Sequence, residues 1–220
     1  MELELIKLKH NSPEWLEFRK NGLGGSDAAA AIGISPFKTN VQLWEEKVGL
    51  RTPEDISEEE NVKYGNDAED LLLKLFALDF PQYSVKSNKN VVYKRGFMFA
   101  SLDGEIVDKK TNTFGLYEGK TSCIDYPSGF SKWNKQIPDY YYCQILHNLI
   151  VTGWTFAFCK AQLKHTGANG QLECITRHYP YLRKDILDDM QYLYLKEKEF
   201  WSYVERKIRP PLILPRINRE

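Results

Sequence analysis

The stretch Phe99-Ala100-Ser101-Leu102-Asp103-Gly104, followed by Gly115-Leu116-Tyr117-Glu118-Gly119-Lys120-Thr121, decides the reading of this chain. Phe97 to Leu102 and Phe114 to Tyr117 are short apolar runs of strand character. Between them Asp108-Lys109-Lys110-Thr111-Asn112-Thr113 is rich in turn formers, so the pair predicts a β-hairpin. Side chains alternate along a strand, which puts Glu118 and Lys120 on one face, and Asp103 at the start of the partner strand meets them across the ladder. Two carboxylates and an ammonium in one small volume suit a hard divalent cation with oxygen ligands, Mg²⁺ keeping several waters for a phosphate to displace. A plain cross-strand ion pair would carry the same letters. Gly104 and Gly119 favour the first reading, because a strand glycine lets a backbone carbonyl come close to a ligand.

The chain has 220 residues, enough for one domain with a substantial core. Its 30 basic and 30 acidic residues cancel, so no overall field recruits nucleic acid, and such a partner needs a local basic surface. No apolar run is long enough to span a membrane, and Met1-Glu2-Leu3-Glu4 lacks the basic and apolar parts of a signal peptide. Cys123, Cys143, Cys159 and Cys174 are scattered, which argues against zinc or an iron-sulfur cluster and fits reduced thiols in a cytoplasm. His10, His147, His165 and His178 show no ligand spacing and read as structural or exposed. Arg51 to Asn61 is an acidic, solvated loop.

Along the chain, Ser12-Pro13 caps a first helix that carries Trp15, Phe18 and Arg19 toward Gly22. Gly24-Gly25 then leads to Ser26, read as the N-cap of a short alanine-rich helix. With Arg19 nearby, that start is a candidate phosphate site, although small residues chosen for close packing explain the same letters. A short helix over Asn40 to Val48 ends at Gly49. A longer one over Asn61 to Phe80 has its period set by Ala68, Leu71, Leu72, Leu75, Phe76 and Leu78, and Glu69 is either surface-facing or turned inward to a metal. Val91 to Tyr93 is a strand. Ser122 to Ile137 reads as a loop in which Lys132, Trp133 and Lys135 either touch a nucleic-acid backbone or form a solvated loop with one anchoring Trp. Pro138 opens a helix to Val151 whose buried face holds Tyr142, Ile145, Leu146 and Leu149, with Gln144 and His147 at its border. Two strands follow, Trp154 to Leu163 and Leu172 to Tyr179, joined by the turn Gly167-Ala168-Asn169-Gly170. A long helix over Arg183 to Arg206 closes the chain before an irregular tail from Pro210-Pro211.

This order predicts an α/β domain with a central mixed β-sheet flanked by helices, one unit over 1–220 with a catalytic core of about 12–207. From Trp15 to the last helix the chain resembles the PD-(D/E)XK nuclease superfamily, a restriction-endonuclease-like core. Within it the likeness is to the phage lambda exonuclease and YqaJ-type viral recombinase group. The resemblance rests on Trp15-x3-Arg19-x4-Gly24-Gly25-Ser26-Asp27-Ala28-Ala29, Gly65-x3-Glu69, Ser101-Leu102-Asp103-Gly104, Glu118-Gly119-Lys120 and Tyr141-x2-Gln144. Each is weak alone, and five in order and spacing are specific.

The resemblance implies a Mg²⁺-dependent nuclease, with Mn²⁺ able to substitute and two ions per site, that degrades linear duplex DNA from 5′-phosphorylated ends in phage-type recombination. Asp103, Glu118, the Gly119 carbonyl and Glu69 would serve the metal. Lys120 would be the catalytic lysine and Gln144 the glutamine beside the attacking water. Arg19 and Ser26 match the family's 5′-phosphate pocket, which turns the earlier balance away from packing alone. Lambda exonuclease has another arginine soon after the motif lysine, where this chain has Ile124-Asp125-Tyr126, and Lys132 or Lys135 would take its place. A ring-shaped trimer, a single-strand annealing partner and the cytoplasm of a bacterial host are implied in the same way. Rival readings are a superfamily endonuclease acting internally or on branched DNA, and a DNA-binding module that kept the fold without catalysis. A neutral Lys120 would need a fall of roughly 3 pH units from about 10.4, or about 4 kcal/mol, against two carboxylates. The expectation is therefore a charged Lys120 that orients water.

Overall fold

The apolar run before Asp103 and the short run after it belong to two different sheets in the computed structural model, which describes residues 2–9, 12–125, 127–167 and 169–214. In chain order the elements are β1 (Glu4–Lys7), α1 (Pro13–Lys20), β2 (Leu23–Gly24), a 3-10 turn (Gly25–Asp27), α2 (Ala28–Ala31), α3 (Asn40–Lys47) and α4 (Glu60–Asp79). There follow β3 (Tyr83–Lys86), β4 (Val91–Arg95), β5 (Met98–Ser101), β6 (Gly104–Asp108), β7 (Phe114–Cys123) and α5 (Pro127–Ser131). Last come α6 (Asp139–Thr152), β8 (Phe156–Thr166), β9 (Leu172–Leu182), a second 3-10 turn (Arg183–Asp185) and α7 (Leu187–Glu205).

The first sheet has the order β1-β4-β5-β2, antiparallel except for the short parallel β2–β5 pair, and the second has the order β3-β6-β7-β8-β9 with β7 and β8 parallel. The expected hairpin exists, yet its first strand is β6 and not the run that ends at Leu102. Asp103 sits in the two-residue passage between the sheets. The single central sheet expected from the sequence is thus two mixed sheets, still flanked by helices, and β1, β2 and β3 are additions to the predicted set.

Helix α6 lies where the sheets meet, packing on β4 and β5 of the first, on β7 and β8 of the second, and against α2 and α7. Ile145, Leu146 and Leu149 fill the core there with Leu102, Leu116, Ala157 and Ala161, each buried leucine contributing roughly 1.5–3 kcal/mol. Gly153, with φ of 76°, ends α6 in a left-handed cap that few side chains tolerate. His147 locks the helix from inside: Nε2 lies 2.9 Å from the Phe99 carbonyl and Nδ1 2.7 Å from Glu197 on α7. The carbonyl only accepts, so Nε2 carries its proton. Burial disfavours the imidazolium, but the Glu197 carboxylate outweighs it and holds the His147 pKa above its usual value. Here the histidine is structural, as expected.

The other face of the second sheet is covered by α4, through Leu73, Phe76, Ile106, Tyr117, Phe156 and Phe158. Leu71, Leu75 and Leu78, expected to help set the buried stripe of α4, are exposed, and Leu73 takes the inward place. The stretch from Ser122 is not all loop: β7 runs to Cys123 and α5 follows. The first two helices after the leading strand also differ from each other. Ser12 caps α1 as predicted, accepting from the Trp15 N–H at 3.2 Å, whereas α2 has four residues and Asp27 at its N-cap position, so Ser26 is no helix cap. A helix that short offers no dipole site for an anion. Tyr126, His10, Ala168 of the predicted turn and the tail beyond 214 lie outside the described residues.

Candidate active site

Gly104 pairs with Tyr117, which brings Asp103, one residue earlier, level with Glu118. The β6 partner stops at Tyr117 while β8 continues to pair on the other side as far as Cys123. The edge of β7 beyond Tyr117 is therefore open toward Asp103. Its Gly119 N–H donates to Asp103 Oδ2 at 2.9 Å. Glu118 and Lys120 share a face as the strand period requires, Lys120 Nζ lying 2.5 Å from Glu118 Oε1.

Glu118 is fully buried, and α6 supplies its remaining donors. Gln144 Nε2 donates to Oε1 at 2.5 Å, and Asn148 Nδ2, one turn later, donates to Oε2 at 3.3 Å. From the opposite side α4 brings Glu69 within reach of a hydrogen bond to Asp103, while Lys89 lies 3.5 Å from Glu69 and 2.9 Å from Asp70. Burial, and then the Asp103 charge, push the Glu69 carboxyl up to about 8 against the pull of Lys89. The same two causes push Glu118 up to about 7, with Lys120 opposing them. For Lys120, burial favours the neutral amine, but Glu118 and Asp103 outweigh it and raise its pKa. Tyr141 on α6 holds the ammonium from the other side, its ring centroid 5.0 Å from Nζ.

Across the same cavity, of about 320 Å³, stand Arg19, Gly24, Gly25 and Ser26, facing Glu69, Asp103 and Gln144. Arg19 Nη2 donates to Ser26 Oγ at 3.0 Å, and its guanidinium lies 4.7 Å from the Trp15 ring centroid. Beneath it is a buried ion pair between Asp27 and Lys47, 2.7 Å apart, and Lys47 Nζ also donates to the Arg19 carbonyl at 2.7 Å. Burial would raise the Asp27 carboxyl, but Lys47 and Arg19 more than offset it and hold it well below the usual carboxylate range.

The structure thus brings Asp103, Glu118, Lys120, Glu69, Gln144, Arg19 and Ser26 to one region and leaves two predicted residues out. Lys132 and Lys135 are exposed and line no part of this cavity; Lys135 borders a separate cleft of about 440 Å³ along β9 with Arg177. Trp133 between them is buried, its carbonyl accepting from Arg177 at 2.7 Å and from the Tyr179 hydroxyl at 2.6 Å. Trp133 is thus the anchor of this segment, and Lys132 and Lys135 beside it reach solvent. Lys47 and Asn148 were not singled out by the sequence, and Asp27 entered only as one letter of the motif around Ser26. Asn148 carried a signal, standing one helical turn after Gln144; Lys47 carried none.

Whether the acidic residues fit a divalent ion follows from their charge balance. Among the described residues no three His, Cys, Asp or Glu side chains are gathered in a geometry that holds a metal as they stand; Lys120 and Gln144 contact Glu118, and the Gly119 N–H donates to Asp103. Yet two of the three carboxyls are displaced upward by burial and mutual repulsion, which is the condition a divalent cation relieves. The donor set is all oxygen, as Mg²⁺ requires. The residues fit such an ion, with Lys120 as the cation it would displace from Glu118.

Residues 14–155 match the YqaJ-like viral recombinase domain, and the chain belongs to that family. Over 149 residues it is 31% identical to the "Uncharacterized protein YqaJ" of Bacillus subtilis, an alignment covering 64% of this chain and 42% of that relative. The fold is shared with an alkaline exonuclease (LHK-Exo) from Laribacter hongkongensis, at a TM-score of 0.60 and 14% identity over 90% of this chain and 94% of the other. It is shared also with a phage-related exonuclease from Haemophilus somnus, at a TM-score of 0.52 and 10% identity over 88% and 99%. The expected PD-(D/E)XK fold is thereby shown. No helix among the described residues is long and apolar enough to cross a membrane.

Proposed function

We propose that this chain is a divalent-metal-dependent deoxyribonuclease that removes nucleotides from the 5′ ends of linear duplex DNA. One observation carries the reading: Glu69, Asp103 and Gln144 share a single cavity with Arg19 and Ser26, so an acidic site and an anion-binding pair face each other across the width of a nucleotide-sized space. The exonuclease names of the structural neighbours, one of them described in complex with dAMP, support the same activity.

In this reading Asp103, Glu118 and Glu69 hold Mg²⁺, or Mn²⁺ in its place, and two ions fit the number of carboxylates. A metal bound there supplies Lewis acidity at a phosphodiester oxygen. The Gly119 carbonyl faces the same side as its N–H, toward Asp103, because both groups of a strand residue point at one neighbour. Arg19 and Ser26 receive the terminal 5′-phosphate, with Asp27 and Lys47 fixing Arg19 from below. Gln144 orients the attacking water. Lys120 stays protonated, places the water and stabilises charge developing on the phosphoryl oxygens. Its raised pKa is in keeping with that role and opposes one as a neutral base. Single-turnover rates at saturating Mg²⁺ are expected to be flat near neutral pH; a steep rise along one ionisation, abolished by Lys120→Ala, overturns the assignment.

The deciding experiment digests end-labelled linear duplexes, with and without a 5′-phosphate, in Mg²⁺ or EDTA. Metal-dependent release that is faster from phosphorylated ends and lost in Glu118→Ala supports the reading. Cleavage of a covalently closed circle would favour an endonuclease of the same fold. DNA binding with no hydrolysis in either metal would leave only a binding module.

A further inference from the structure

Glu118 is held by two amides of α6 one turn apart, and the second leads away from the acidic site. Asn148 Nδ2 donates to Glu118 Oε2 at 3.3 Å. With Glu118 ionised its carboxylate only accepts, which turns the amide nitrogen of Asn148 toward it and the Oδ1 atom the other way. That oxygen is buried and has no hydrogen-bond partner among the described residues, an unfavourable state that protein interiors rarely tolerate without a reason. It occupies the space above Gly25: a β-carbon built on residue 25 would lie 2.5 Å from Asn148 Oδ1 and 3.1 Å from Gln144 Cγ. Gly25 opens the 3-10 turn that carries Ser26, whose hydroxyl accepts from Arg19.

We propose that Asn148 is a positioning residue for Glu118, and that residue 25 is glycine so that the Asn148 amide can stand between the Ser26 turn and that carboxylate. The inference rests on the reading of Glu118 as a metal-binding group and adds to it a coupling: the acidic site is seated through Asn148 against the turn that presents Ser26. A helix packed only for stability would place an apolar side chain at 148, with no oxygen left unpaired. An amide that spends one end on Glu118 and wedges the other against a glycine transmits any displacement of the turn to the carboxylate.

The test uses the full chain and calorimetric titration with Mn²⁺ in the absence of DNA, with metal-free thermal melts run beside it. Asn148→Leu keeps the side-chain shape and removes the donor. It is expected to melt at or above the wild-type temperature and to bind Mn²⁺ about 10- to 100-fold more weakly, the range for groups that orient a ligand. Gly25→Ala is expected to weaken Mn²⁺ binding comparably in the wild-type background and by less than about twofold when Asn148 is already Ala. An Asn148→Leu variant that binds Mn²⁺ as the wild type does assigns Asn148 to packing and overturns the proposal. Gly25→Ala losses of equal size in both backgrounds overturn the coupling. Wild-type protein that takes up no Mn²⁺, matching Glu118→Ala, overturns the metal reading itself and this inference with it.

Discussion

Asp27 and Glu118 are both buried carboxylates in touch with a lysine, 2.7 Å from Lys47 in one case and 2.5 Å from Lys120 in the other, and their electrostatics run in opposite directions. Around Asp27 the cations Lys47 and Arg19 outweigh the cost of burial, and the carboxyl sits below its usual range. Around Glu118 the single cation Lys120 faces Asp103 as well, with Glu69 beyond it, and the carboxyl rises to about 7. The first site is electrically closed and holds an arginine in place. The second has surplus negative charge, which is a cost to the fold that a functional site sustains and a structural one sheds. An ion pair seen alone would not separate them; the count of neighbouring charges does.

The comparison breaks most visibly at Glu118. Glu118→Gln is expected to reduce metal-dependent nuclease activity by more than about 100-fold, beyond the range for residues that merely support a ligand. It should also raise the melting temperature of the metal-free protein by about 2–4 °C for each kcal/mol of repulsion relieved. Loss of activity with loss of stability would count against surplus charge at this position. Asp27→Asn does the reverse: it leaves the Lys47 ammonium buried without its counter-ion, a cost of about 3–5 kcal/mol, and lowers the melting temperature by roughly 10 °C. Arg19→Ala, which removes the longer 3.5 Å contact to Asp27 but leaves the Asp27–Lys47 pair in place, should slow digestion of 5′-phosphorylated ends roughly 10- to 100-fold, the worth of one charged hydrogen bond, and leave unphosphorylated ends little changed.

The smallest expected effect is in pH, and its sign differs between the two sites. Glu118 and Glu69 have folded-state pKa values near 7 and 8 against an ordinary 4.5, so the folded protein binds their protons more tightly than the unfolded chain. Their contribution to stability is complete below about 4.5 and is lost as pH rises through those higher values. His147, whose pKa is also raised, acts in the same direction. Asp27 contributes above its ordinary 3.8 and loses that contribution only as pH falls further. Metal-free melts from pH 5 to 9 should therefore decline by a few degrees, and Glu118→Gln should flatten the slope near 7. An unchanged slope in that variant would place the decline elsewhere, with His147 as the next residue to replace.

Much of the site was legible because its signals are local. Glu118 and Lys120 are two apart on a strand, and Ser12 stands at a helix start, so periodicity and capping suffice for both. Glu69 and Gln144 needed only the right helix. What stayed hidden depends on distance along the chain. The apolar run into Leu102 gives no hint that Ser101 and Gly104 enter different sheets, since both strands are short and only Leu102 and Asp103 separate them. Leu71, Leu75 and Leu78 fit the α4 period as well as Leu73 does, and only the packing of Phe76 and Tyr117 chooses between the faces. Lys47 meets Asp27 from twenty residues away, and His147 meets Glu197 from fifty; no window of sequence joins them. Trp133 between Lys132 and Lys135 left two readings open, because an aromatic flanked by bases is equally the signature of a nucleic-acid contact and of an anchor whose neighbours remain in solvent.

Asp103 stands at the passage from β5 to β6, where the chain leaves one sheet for the other. Arg19 and Ser26 are tied to the first sheet through β2, and Glu118 belongs to the second. In the proposed function, the angle between the two sheets acts as a ruler, setting how far a held chain end lies from the bond to be cut. Product length on an end-labelled duplex reads that ruler directly: mononucleotides if the two sheets stay rigidly docked, and a spread of longer fragments if they rock.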